Sequence, residues 1–145
     1  MSTYFDTYRV KRDIKHQDLM LKLQSRNGGI FGGYPKLLMI SSIVGYVNGA
    51  FVPIEKRAEP VQLSFFSDRD REIMDLLAYA YTKNQSIVDK EEKYHIFESY
   101  ANGGFPIFAE KIGVDESTVF DQKTREQVLK RYYSLLVRKN GFKIG

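Results

Sequence analysis

Residues Pro35 to Val47 constrain the fold more than any other segment, because a helix over this span carries apolar side chains on nearly its whole circumference. Proline at the first helical position costs nothing, since that N–H has no intrahelical acceptor. A helix without a polar face must be covered by its neighbours, so the pattern places it centrally in a core. Ser41, Ser42 and Gly45 interrupt the run Leu37 to Val47, which is far shorter than the roughly 18 apolar residues of a membrane span. A soluble domain is expected, with no membrane partner. Residues Met1 to Arg12 lack an apolar stretch and do not read as a signal peptide.

The rest of the chain is punctuated for more helices. One begins near Asp13 and stops at Asn27-Gly28-Gly29 and Gly32-Gly33. Ser67 with Asp70, and Ser86 with Asp89, have the spacing of capping boxes, the second opening a helix that reaches Tyr100. Asn102-Gly103-Gly104 then reads as a helix stop, with a glycine in the left-handed conformation that closes a helix, and Pro106 as the start of a short helix to Ile112. A last helix spans residues 117–138. Phe51 to Ile54 and Val61 to Phe66 read as extended pieces around a polar turn, which admits one short β-hairpin within residues 51–66. At 145 residues and 43% hydrophobic, with no repeat or linker, the expectation is mainly α: one compact domain over residues 1–145, a bundle of five or six helices.

Candidate chemistry is sparse. With no cysteine there is no disulfide, thiolate metal site or cysteine nucleophile, in keeping with a cytoplasmic protein. Gly28 to Gly33 has the glycine density of a phosphate cradle, but Tyr34-Pro35 stands where such a loop needs Lys and then Ser or Thr. His16 and His95 sit in no ligand-spaced cluster, so no metal is expected. Glu91, Glu92 and Glu98 lack a partner pattern for acid–base work and read as solvated or salt-bridged carboxylates. No catalytic residue and no cofactor is assigned, and the chain does not read as an enzyme.

Charge gives a clearer lead. Residues 1–26 carry six Lys/Arg against three Asp/Glu and residues 121–145 seven against two, whereas residues 67–98 carry five against eight. Basic ends around an acidic centre fit an anionic partner touched by the termini, or head-to-tail association of opposite patches in a homo-oligomer. On the last helix, Lys123, Gln127, Lys130, Arg131, Ser134 and Arg138 fall within about a quarter of the circumference, with Val128, Leu129, Tyr132, Tyr133, Leu135 and Leu136 opposite. Lys123, Lys130, Arg131 and Arg138, extended by Lys139, are the candidate contacts to a nucleic-acid backbone. A competing reading takes Phe108 to Val119, with Gly113 at the turn, as part of a helix-turn-helix-like segment over residues 108–127, in an autonomous DNA-binding regulator. Gln122 at an inward position, and Asp115, Glu116 and Asp121 where phosphates would lie, argue against it.

Two stretches resemble a known family. Ile96-Phe97-Glu98-Ser99-Tyr100-Ala101-Asn102-Gly103-Gly104, together with Ile30-Phe31, Tyr34-Pro35-Lys36-Leu37-Leu38-Met39, Gly45-Tyr46 and Val52-Pro53-Ile54, is similar to a small accessory family of bacterial DNA phosphorothioation (Dnd) systems, in the family's order over residues 29–112. Tyr100, Asn102, Gly103 and Gly104 are the residues of this motif with an expected structural role. The resemblance implies a setting of DNA modification, restriction and phage defence, and a partner among the larger protein components of such a system. Docking there, with double-stranded DNA touched through its backbone, is the expected function.

Overall fold

The computed structural model describes residues 7–24 and 30–144, with side chains through Val137. Among the described residues there are five α-helices: α1 Gln17–Leu23, α2 Tyr34–Asn48, α3 Asp68–Thr82, α4 Glu92–Lys111 and α5 Gln122–Ile144. Short 3-10 turns precede α1, α3 and α4. Two strands, β1 Arg9–Val10 and β2 Val61–Gln62, pair antiparallel with Arg9 opposite Gln62 and Val10 opposite Val61. The alternating Val61 segment thus pairs with the start of the chain and not with residues 51–54. Those residues run extended along α4 instead, held by the Val52 N–H donating to the Ser99 carbonyl at 3.0 Å.

The central packing unit is α2 against α4. Leu37, Leu38 and Phe97 are fully or almost fully buried, and Ser41 and Ser42 are sealed in beside them. Glycine sets how near the two axes come. A Cβ on Gly45 would fall on the Tyr100 carbonyl, one on Gly104 on the Ser41 carbonyl and the Gly45 nitrogen, and one on Gly103 on the Ala50 carbonyl. Gly103 and Gly104 are helical, and α4 continues through them to Lys111. The expected stop at Asn102-Gly103-Gly104 is therefore corrected: Gly104 makes room for α2 and Gly103 for Ala50 just past its end. Among the described residues the left-handed glycines are Gly49, which ends α2, and Gly113, just beyond α4.

Pro106 also lies inside α4. Lacking an N–H, it leaves the Asn102 carbonyl without its usual helical donor. The half-buried His16 ring sits beside the backbone and side chain of Asn102 at this gap, stacked obliquely on Phe105 with centroids 5.1 Å apart.

The capping reading holds at one end and fails at another. Ser67 and Asp70 form the reciprocal box at the start of α3. At the second expected box the cap is Asn84, whose side chain accepts from the Ser86 N–H at 3.0 Å and opens the 3-10 turn Gln85–Asp89. α4 begins afresh at Glu92. The last helix also starts later than expected, because the Asp121 carboxylate accepts from the Thr124 N–H at 2.8 Å and so marks the N-terminus of α5.

Phe31 anchors α5 to this body, meeting Phe108 and Tyr132 edge-on at 5.6 and 5.0 Å. Gly32, beside it, has open space where a methyl group would stand, with nothing within 4 Å.

Steric logic separates the glycines. Gly104→Ala and Gly45→Ala should each lower stability by about 2–4 kcal/mol, since backbone stands where the methyl must go, whereas Gly32→Ala should change it by less than about 0.5 kcal/mol. Urea unfolding of the three variants checks this ranking.

Candidate functional site

Three surfaces could meet a partner, and the basic helix is the one the sequence points to. Lys123, Gln127, Lys130 and Ser134 are exposed along α5, as expected for a stripe facing solvent. Arg131 departs from it: its Nη1 donates to the Ile112 carbonyl at 3.2 Å, so the side chain braces the end of α4. The side chains of Arg138 and Lys139 lie outside the described residues. On the opposite face Val128 is fully buried and Tyr132 and Leu135 pack against the core. Tyr133 and Leu136, expected on that inner face, are exposed, as is Val137.

The segment from Phe108 to Val119 does not make a helix-turn-helix. Between Lys111 and Gln122 the chain forms turns, with Asp115 accepting from the Ser117 N–H and hydroxyl at 2.9 and 2.6 Å. Val119, which a recognition helix would bury, is 72% exposed. Ser117 and Thr118 are taken up by the turn, and Gln122 opens α5.

The second surface is a polar cleft of about 290 Å3 that no sequence pattern signals, lined by Lys11, Arg57, His95, Glu98 and Ser99 with residues 53–55. Two backbone links build it: Asp13 and Arg57 form an isolated antiparallel bridge, and the Ile14 N–H donates to the Lys56 carbonyl at 2.8 Å. Glu98 forms its floor and is buried, correcting its reading as a solvated carboxylate. It accepts from the Tyr8 hydroxyl at 2.6 Å and the Lys11 N–H at 2.9 Å. Burial pushes the Glu98 carboxyl above the ordinary value of 4.5, against the pull of those two donors. Burial, then the Glu98 charge, pushes the Tyr8 phenol up as well.

Beside the cleft, Asn102 acts as a clamp. Its amide donates to the carbonyls of Val52 at 2.9 Å and Pro53 at 3.3 Å, and reaches Asp13 at 3.5 Å. Burial raises the Asp13 carboxyl, but the N–H groups of Glu55 and Lys15 outweigh it and leave its pKa below the usual value. Not all the N-terminal basic charge is open to a partner. Arg12 is buried over the Tyr34 ring, 3.9 Å from its centroid, and donates to Gln17 and to the Glu59 carbonyl.

The third surface is apolar. The outer face of α2 exposes Ile43, Tyr46 and Val47, the last at 62%. It continues into rings: Phe51 stacks on Tyr81 at 4.5 Å, and Tyr100 meets Tyr46, Phe51 and Tyr81 edge-on at 5.6, 5.0 and 6.0 Å. Tyr100 of the motif is thus the hub under an exposed aromatic patch. Charge could not have revealed it, for residues 37–54 contain none.

The raised Glu98 carboxyl has a consequence for stability. Above pH 4.5 the folded chain holds a proton that the unfolded chain has lost, so stability falls as pH rises through the folded-state value. His16, whose pKa burial lowers, works in the opposite sense but equally with or without Glu98. Glu98→Gln keeps an acceptor for Tyr8 and Lys11 and carries no charge. Its melting temperature relative to the unaltered protein should rise between about pH 4.5 and about pH 7, as circular-dichroism melts at the two ends of that range can check.

Comparison with known proteins places the chain. No curated protein and no solved structure matches it. The family described as DNA sulphur modification system-associated protein 4 matches residues 9–132, which include both strands, α1 to α4 and α5 as far as Tyr132, and the chain belongs to that family.

Proposed function

We propose that this protein is a non-enzymatic accessory of a bacterial DNA phosphorothioation-linked modification or restriction system, docking on a larger component in the cytoplasm through the outer face of α2. Family membership supplies the setting. The observation that carries the docking is the uncharged span 37–54, which presents Ile43, Tyr46 and Val47 to solvent beside the Tyr81 and Tyr100 rings. Contiguous exposed apolar surface on a globular domain marks an interaction site, and aromatic residues are the usual anchors of such contacts. The carboxylates inside the fold support the non-enzymatic reading, because Asp13 and Glu98 are taken up by N–H and hydroxyl donors of the chain itself.

Backbone contact with double-stranded DNA is the second part of the reading. Its support is the row of exposed Lys123 and Lys130 on α5, which can neutralise phosphates without reading bases.

Each part has its own test. Ile43→Gln with Val47→Gln should abolish co-purification of the system's components from cells that carry it, while the melting temperature stays within a few degrees. Retained co-purification would sink docking through α2. For DNA, affinity for a duplex of arbitrary sequence should fall steeply with salt, and Lys123→Gln with Lys130→Gln should lower the log–log slope by roughly 0.9 for each phosphate no longer neutralised. An unchanged slope in the double variant removes α5 from DNA contact.

A further inference from the structure

Two surfaces at separate places in the fold carry matching chemistry. One is a groove of about 660 Å3 between α3 and the 3-10 turn Gln85–Asp89, lined by Glu72, Asp75, Leu76, Tyr79, Gln85 and Val88. Leu76 and Tyr79 stand one turn apart on the outer side of α3, Leu76 at 65% exposure. Asp75 is paired with the buried Lys93 at 2.9 Å, so Glu72 is the groove's outward acid, followed along the chain by the exposed Asp89, Glu91 and Glu92. Such a groove, apolar along Leu76, Tyr79 and Val88 with the Glu72 carboxylate beside them, accepts an amphipathic helix with a basic flank.

The chain carries such a helix. In the second half of α5, Tyr133, Leu136 and Val137 lie at positions i, i+3 and i+4 and are exposed, Val137 at 69%, with Lys130 one turn before them. These three residues lie on a different side of α5 from Val128, Tyr132 and Leu135, which contact the core. We propose that the second half of α5 of one copy lies in the α3 groove of a second copy, with Tyr133, Leu136 and Val137 against Leu76, Tyr79 and Val88. Charge supports a second copy as the occupant: residues 121–145 carry seven basic against two acidic groups, and residues 67–98 eight acidic against five basic. It also sets the direction. Glu72 stands one turn before Leu76 as Lys130 stands one turn before Tyr133, so with the two helices parallel Lys130 lies opposite Glu72. Because each copy offers a groove and a helix at different places, the contact is head-to-tail and propagates into a ring or a filament.

Sedimentation velocity of the full chain tests the contact without reference to DNA or to the α2 face. The unaltered protein should sediment as species larger than a monomer at low salt and move toward the monomer as salt rises. Leu76→Gln with Tyr79→Gln, and separately Leu136→Gln with Val137→Gln, should each be monomeric with unchanged helical circular dichroism, since all four positions are at the surface. An equimolar mixture of the two should form a dimer and nothing larger, because each copy then keeps one intact surface. Glu72→Lys and Lys130→Glu should each weaken association, and both together in one chain should restore it. A monomeric unaltered protein, a mixture that stays monomeric, or a charge swap without recovery overturns the proposal.

Discussion

Everything in this molecule hangs on two helices brought closer together than side chains allow. Where Gly45 of α2 meets Tyr100, and Gly104 of α4 meets Ser41, backbone lies against backbone. Close approach buries the serines of α2, seats residues 50–54 along the flank of α4, and puts Asn102 where its amide can hold Val52 and Pro53. From that strap the polypeptide turns back to β2, which pairs with β1 and so carries Tyr8 and Lys11 to Glu98. The polar cleft and the aromatic patch are both downstream of one steric fact.

Local periodicity and capping are legible in the sequence, and distant partners are not. α2 is readable because Pro35 and an apolar run specify it, and the start of α3 because Ser67 and Asp70 form a box that needs no distant partner. Asn102-Gly103-Gly104 misleads because a missing side chain serves equally to end a helix or to admit another one. Which use applies depends on Ser41 and Gly45 of α2, far back along the chain, and no local pattern carries that. Strand pairing is hidden in the same way: the alternation at Val61 is visible, but its partner at Arg9–Val10 is two residues long and lies far back along the chain. Glu98 reads as a surface acid because its partner, Tyr8, is 90 residues off.

The candidate basic stripe illustrates a different limit. Helical spacing finds α5, yet spacing alone assigns nearly every apolar residue to the inner face, and the core has room for only some. Val128, Tyr132 and Leu135 reach it, while Tyr133, Leu136 and Val137 do not. Arg131 groups with the lysines by angle, but it lies close enough to the turn after α4 to be drawn onto the Ile112 carbonyl. Arginine with a carbonyl in reach is a brace, and only the folded chain says which carbonyls are in reach.

The glycines of α4 also bear on what a motif can report. Asn102-Gly103-Gly104 is one part of the stretches by which the chain resembles its family, and here it fixes a distance between two axes and ties down a neighbouring strap. A chain that keeps Gly45 together with Gly103 and Gly104 keeps the room in which the two helices cross. Its outward surfaces remain at liberty to diverge, so a shared signature of this kind certifies common architecture while the working contacts of each protein are written elsewhere, in side chains that the signature does not include.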